Sequence, residues 1–381
     1  MTDCRIARVA ALEQEVEVHW ADGGDPVRFP AFWLRDHCRA AHSYHPETQQ
    51  RQIDTVAIPP CIAVREARVS KDGAALEIAW TTEETLSYFP ASFLKAVADR
   101  TSDRASPKTL TRTAWARADW EQRDWPALAY DAVMTEEAAL ASWIGLLERF
   151  GFAFAEAAPA TADATEAFAK RIAGYIRQSI FGGFWGFSAD LAYKDTAYTS
   201  MAIGPHTDGT YSFDPPGYQM FHCLEFDGQG GESTLVDGVK IAERLRAERP
   251  DLFKVLCEVE VPAQYIGDGV HLKAHHRIIE LDEDGEVRRV AYNNYDRAPF
   301  FAGKERMTAF YEAIRVFDEL ANDPGMEIEF PLRPGRILVF DNWRLLHGRR
   351  AYSGKRHLAG AYLNKEDIES RLRTLGLEAA P

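Results

Sequence analysis

A chain of 381 residues, 46% apolar and 12% aromatic, has ample material for a folded core and is longer than one hydrophobic core commonly serves, so two domains are expected. Its formal net charge of −14 argues against nucleic acid, whose phosphates demand a basic surface, and leans weakly towards a cationic ligand. No apolar run approaches a bilayer span, and five scattered cysteines, an odd number, read as reduced thiols of a cytoplasmic protein with no membrane attachment.

Residues 1–98 read as a small β-rich N-terminal domain. "EVEVHW" alternates, "DGGDPVRF" holds a turn and a return strand, and "AALEIAW" followed by "TLSYF" suggests a second hairpin. The first twenty residues lack the apolar segment of a signal peptide and carry acids early, so no leader is read. Residues 99–126, polar and charged without a clean period, are expected to form a linker. Residues 127–381 read as the catalytic domain. A helix is predicted over "TEEAALASWIGLLERFG", with Thr135 as N-cap and Gly151 as stop. "FAFAEA" is a strand, and "TADATEAFAKRIAGYI" a second helix. From about 197 onward short strands dominate: "AYTSMAI", "YQMFHCLEF", "STLVDG", "VEVPAQYI", "RIIELD", "VRRVAY", "GRILVFDN" and "HLAGAYLN". Two helical inserts interrupt them, "DGVKIAERLRAERPDLFKVLCE" and "KERMTAFYEAIRVFDELAN". The class is mainly β with helical inserts, a double-sheet barrel or sandwich. No internal repeat is read.

Chemistry concentrates at "GPHTDGTYSFDPP". On a strand, residues two apart face the same side, so His206 and Asp208 can offer an imidazole and a carboxylate to one point. Composition alone supplies about two His-x-acid pairs in a chain of this kind, and the chain has two, this one and His45-x-Glu47, so the pair by itself is weak and reads first as an ordinary polar strand end. The later stretch "PGRILVFDNWRLLHGRRAYSGKRHLAGAY" adds His347 just past a strand, where a neighbouring strand could deliver a third ligand. Two histidines and one carboxylate with open positions suit non-haem Fe(II), and the lack of thiolates disfavours structural zinc in this set. Arg356 follows nine residues later; buried, it would need an anion, and its fork suits a carboxylate. Taken singly, His347 and Arg356 also fit surface or ion-paired residues.

With these residues the chain resembles the Fe(II)/2-oxoglutarate dioxygenases, taurine-dioxygenase-like, and more narrowly the γ-butyrobetaine and trimethyllysine hydroxylases of carnitine synthesis. The likeness lies in "WLRDHCR", "DTAYT", "HTD" with "PPG", "FHCLEFDGQGGESTLVDG", "YNNYDRA" and "FDNWRLLHGRR", and covers nearly the whole chain. It implies a double-stranded β-helix, or jelly roll, for the catalytic domain. It implies that His206, Asp208 and His347 bind Fe(II), and that Arg356 with Ser233 binds the distal carboxylate of 2-oxoglutarate. O2 is the other co-substrate, and succinate and CO2 are released as an unactivated C–H is hydroxylated. A homodimer is implied too. So is an aromatic cage of Phe181, Trp185, Tyr198 and Tyr362 for a quaternary ammonium, which offers no ordinary donor and pairs best with ring faces; without the resemblance such rings read as core.

At the substrate's anionic end, Asn293, Asn294 and Arg297 are candidates, although Arg297 could simply pair with Asp296, and Asp195 is a further substrate-binding candidate. Asp195 departs from the Asn of the butyrobetaine enzymes, and the chain shows no mitochondrial leader of the trimethyllysine type. The favoured substrate is therefore 2-(trimethylammonio)ethylphosphonate, hydroxylated on the carbon bearing phosphorus. The alternatives are γ-butyrobetaine or trimethyllysine, a zinc hydrolase on the same ligands, and a quaternary-amine-binding barrel without catalysis. Relatives often hold zinc near "WLRD"; here Cys38 remains, but Ala40, Ser43 and Thr85 stand at the other ligand positions. With only His42 and His45 as substitutes, structural zinc is not expected.

Overall fold

The computed structural model describes residues 4–102, 112–187, 199–267 and 269–377, of which 100–102 and 187 by backbone alone. The chain divides into two compact units, 1–106 and 107–380.

In the first unit, alternation sets the faces. Along the strand Glu15–Trp20, Val16, Val18 and Trp20 are buried while the residues between them are half-buried. Two three-stranded antiparallel sheets form, one from Ile6–Leu12, Glu15–Trp20 and Val27–Pro30, the other from Val64–Val69, Ala75–Trp80 and Ser87–Pro90. Each runs directly into a helix, Ala31–Asp36 and Ala91–Ser102. This is an internal repeat that the sequence reading overlooked. Its trace is the pair "FPAFWL" and "FPASFL", in which Phe29 and Phe89, Ala31 and Ala91, and Leu34 and Leu94 are all buried in the unit's single core. The lengths between repeats differ, so only these few positions betray it.

The second unit is a double sheet, as the jelly-roll expectation requires. A six-stranded sheet runs Phe184–Phe187, Tyr352–Leu363, Tyr218–Gly230, Ile337–Asp341, Phe152–Glu156, Ala127–Ala129. A four-stranded sheet runs Ile203–His206, Leu345–Arg349, Ser233–Asp237, Glu327–Phe330. Helices Glu137–Phe150 and Ala162–Ala173 share one core with the six-stranded sheet through Trp143, Phe168 and Val339. Phe310 and Phe317 of helix Lys304–Ala321 pack into another with Val236 and Leu346.

Several expectations need correction. Within the supposed linker, Trp115 is fully buried; its backbone N–H donates to Asp237 Oδ2 (3.1 Å) and its indole to the Phe150 carbonyl (2.8 Å). Arg344, ion-paired to Asp237 at 2.7 Å, also donates to the Thr113 carbonyl. Residues 112–126 are thus anchored to the second unit by Trp115 and Trp120, which are buried in its core while the charged residues between and after them stay exposed. Thr135 does not cap the following helix. It ends a short helix, Tyr130–Thr135, and donates back to the Asp131 carbonyl. Gly151 does stop that helix, at φ +79°. The helical insert after Asp237 is two helices, Gly238–Glu248 and Pro250–Glu258, because Pro250 cannot continue the first ladder. Val270–Arg277, unread because His271, Lys273, His275 and Arg277 face water, pairs with Glu260–Gly267 as a hairpin.

Candidate active site

His206 ends the strand Ile203–His206 and pairs in register with His347 on Leu345–Arg349. Neighbouring antiparallel strands therefore present both imidazoles to one place, with ring centroids 4.2 Å apart. Asp208 is not on the strand. It sits on the bend beyond it, so the pleat accounts for His206 alone. Asn342 fixes the bend: it accepts from the Asp208 N–H (2.8 Å) and donates to the carbonyls of Asp208 (3.0 Å) and Pro216 (2.9 Å). Thr207, between the two ligands, is tied to the Tyr292 backbone on both sides. Gly209 adopts φ +73°, and a Cβ there would meet Pro216 at 2.6 Å, so the turn back to the sheet needs glycine.

The result is a cluster in which one ligand atom from each of His206, Asp208 and His347 lies within 4.8 Å of the others, the one such group among the described residues. Asp208 Oδ1 lies 3.2 Å from His206 Nε2 and 3.7 Å from His347 Nε2. His206 Nδ1 donates to the Gly204 carbonyl at 2.9 Å, which fixes the proton there and turns Nε2 towards the cluster. Burial alone would raise the Asp208 carboxyl, but the two imidazoles and the Tyr362 hydroxyl outweigh it and hold it well below the usual carboxylate range. Burial pushes His347 down to about 3, and nearby His206 adds to this. His206 goes the other way: burial would lower it, but bonding to Asp208 raises it. One charge-neutral imidazole, one carboxylate and one imidazole that a cation could deprotonate form a donor set suited to a divalent transition metal.

The cluster opens into a cleft of about 960 Å³, its mouth included. Both sheets line it. From the four-stranded sheet come His206, Ser233, His347 and Arg349, and from the six-stranded sheet Trp185, Gln219, Arg356 and Tyr362. Arg356 is 7% exposed, and no carboxylate pairs with it among the described residues; its guanidinium lies 5.5 Å from the Tyr352 ring. Burial, with Arg349 beside it, pushes its pKa down to about 10, so it remains cationic at neutral pH. A buried cation facing a cleft is a place for an anion.

Phe181, Trp185 and Tyr362 line the same cleft. Trp185 packs on Tyr362 at 5.3 Å and on Phe221 at 5.9 Å. Its ring lies across its register partner Gly360, where a Cβ would come within 1.9 Å of it. Phe181 packs on Tyr265, which packs on cleft-lining Tyr211. Asp195 and Tyr198 lie outside the described residues.

The expected anion site does not assemble as read. Asn293 lines the cleft, but both ends of its amide are used: it accepts from the N–H groups of Tyr295 and Asp296 and donates to Thr207 O and Asp296 Oδ2. Asn294 and Arg297 do not line it. Arg297 sits 5.9 Å from the Tyr311 ring. In the first unit, Cys38 Sγ accepts from the Ala40 N–H and His45 Nδ1 from the Thr48 N–H.

Sequence reasoning missed Asn342, Asp296 and Gln219. Gln219 is 1% exposed, and its Oε1 has no partner among the described residues. The signal was a lone amide within the apolar run "GYQMF".

The comparisons agree with this geometry. Residues 111–362 match the family described as taurine catabolism dioxygenase TauD, TfdA, and residues 7–95 a gamma-butyrobetaine hydroxylase-like N-terminal domain. A trimethyllysine dioxygenase of Meyerozyma guilliermondii is 35% identical, over 100% of this chain and 98% of its own. The mitochondrial trimethyllysine dioxygenase of Homo sapiens is 34% identical over 93% of this chain and 84% of its own. A gamma-butyrobetaine dioxygenase of Pongo abelii is 29% identical over 98% and 97%. Among solved structures, a putative alpha-ketoglutarate-dependent taurine dioxygenase from Burkholderia xenovorans superposes with a TM-score of 0.50 at 15% identity, over 67% of this chain and 91% of its own, a likeness of fold. No helix among the described residues is long and apolar enough to cross a membrane.

Proposed function

The chain belongs to the taurine catabolism dioxygenase TauD, TfdA family and is an Fe(II)- and 2-oxoglutarate-dependent dioxygenase, and from that premise we propose that it hydroxylates trimethyllysine. The observation that carries the proposal is a single cleft holding both the His206–Asp208–His347 cluster and an aromatic wall of Phe181, Trp185 and Tyr362.

The three cluster residues would hold Fe(II), which with 2-oxoglutarate and O2 supplies the oxidising chemistry: one oxygen atom leaves in succinate beside CO2, and the other enters a C–H bond of the substrate. Arg356 receives the distal carboxylate of 2-oxoglutarate, with the Ser233 hydroxyl lining the same cleft. The fork gives two parallel charge-assisted bonds and so fixes direction as well as binding. The aromatic wall takes the trimethylammonium group by cation–π attraction, worth about 0.5–2 kcal/mol per well-placed ring. The same rings keep water from the reacting carbon.

Two features favour trimethyllysine over the other zwitterions. The relatives matching along nearly the whole chain at the higher identities carry that name. The phosphonate favoured from sequence gains nothing from the comparisons, and two of the groups expected to bind its anion are otherwise placed: Asn293 has its amide committed, and Arg297 is off the cleft. Asp296 also lines the cleft, its Oδ2 accepting from the Asn293 amide at 2.9 Å. An added negative charge suits a substrate with a second cation, and trimethyllysine carries an α-ammonium that γ-butyrobetaine and the phosphonate lack.

The test is succinate formation from 2-oxoglutarate, with Fe(II) added anaerobically and then air, in separate tubes of the three substrates. Trimethyllysine is expected to give succinate and a product one oxygen heavier. Turnover of the phosphonate or γ-butyrobetaine alone would replace the substrate assignment, and silence with all three would remove the trimethylammonium reading.

A further inference from the structure

Beyond its place in the aromatic wall, Tyr362 reaches the metal cluster. Its hydroxyl donates to Asp208 Oδ2 at 2.7 Å, while Oδ1 of the same carboxylate faces both imidazoles, at 3.2 and 3.7 Å. Asn342 holds only the backbone of Asp208. The rotation of the carboxylate about its own bonds is left to the side chains around it, and Tyr362 is the one that takes Oδ2.

We propose that Tyr362 is a positioning residue for the metal site: its hydroxyl occupies Oδ2 so that Asp208 presents one oxygen, Oδ1, to the cation. A carboxylate can bind a metal through one oxygen or two. A second oxygen would take a position that a two-histidine, one-carboxylate site must leave open for co-substrates. The hydrogen bond sets that choice before any ligand arrives, at no cost in reorganisation. Tyr362 also belongs to the recognition side. It pairs in register with Gln219 on the six-stranded sheet, and its ring packs on Trp185. One side chain therefore offers a ring to the substrate wall and a hydroxyl to the metal's carboxylate. The inference rests on the reading of the cluster as the iron site, which would fail separately if the wild-type protein bound no Fe(II).

Tyr362→Phe keeps the ring and deletes the hydroxyl. Fe(II) affinity, titrated anaerobically without substrate, is expected to fall about 10–100-fold, the usual effect of losing a partner to a metal ligand. At saturating iron, the visible charge-transfer band of the Fe(II)–2-oxoglutarate complex should shift or weaken, as Oδ2 becomes free to compete with the oxoacid. Wild-type iron affinity with an unchanged band would overturn the proposal. So would a lower melting temperature of the metal-free protein with both metal readouts intact, which would make the bond merely structural. If the phenylalanine variant does not fold, 3-fluorotyrosine at position 362 keeps the shape and strengthens the donor. The band and the iron affinity must then move, and constancy of both would overturn the proposal equally.

Discussion

The two sheets that enclose the cleft contribute different chemistry and hold it by different means. On the four-stranded side, His206 and His347 are register partners, and the bend carrying Asp208 is clamped by the Asn342 side-chain amide through three hydrogen bonds to backbone groups. Strand register and the Asn342 amide place the three cluster residues, and only the turn of the Asp208 carboxylate is left to the facing sheet, through Tyr362. The six-stranded side works at longer reach. Trp185, Arg356 and Tyr362 project from it, and what aligns them is ring packing and space, above all the missing Cβ of Gly360 under Trp185. The four-stranded side thus carries two of the cluster residues on paired strands, and the six-stranded side carries the groups proposed to hold co-substrate and substrate. This arrangement suits a family whose members keep one chemistry and change substrates.

The sharpest way to break this division is Arg356→Lys, which keeps the charge and loses the fork. Losing one charge-assisted hydrogen bond of about 1.5–3 kcal/mol predicts a 2-oxoglutarate KM raised about 10–100-fold, with Fe(II) affinity measured without the co-substrate unchanged. A fall in iron affinity would mean that the two sides are not separable. A smaller effect probes the wall's support. His222 is fully buried, accepts or donates at 2.8 Å with Thr165 Oγ1, and burial pushes its pKa down to about 4. The unfolded chain takes up this proton near pH 6.5, the folded one not until about 4, so the folded state binds fewer protons in that window. Stability should therefore fall as pH drops from 6.5 towards 4, by at most ~1.4 kcal/mol per unit from this residue. Urea melts at pH 7 and pH 5 should show a shallower loss in His222→Gln than in the wild type.

Much of the site was legible because its ligands sit in short motifs whose spacing has a mechanical meaning. His206, His347 and Arg356 fall in one cleft as the strand pattern suggested. The pleat argument was right for His206 and wrong for Asp208, since a strand's end is set by what fastens the next residues, here Asn342, 134 positions away. The same limit hid the second contact of Tyr362: a pattern gives the face of a strand, not the direction of a hydroxyl. Arg297 misled because charge is visible in a sequence and orientation is not. The strand Val270–Arg277 escaped because its water-facing residues are two histidines, a lysine and an arginine, and the repeat in the first unit escaped because six-residue echoes survive where lengths do not.

The measurement that tests the division most directly is Trp185→Leu, assayed for Fe(II) affinity and for the KM of trimethyllysine on the same preparation. The account predicts iron binding within about twofold of wild type and a KM raised by about tenfold, the worth of one good cation–π contact. Loss of both together would contradict it, and so would an unchanged KM.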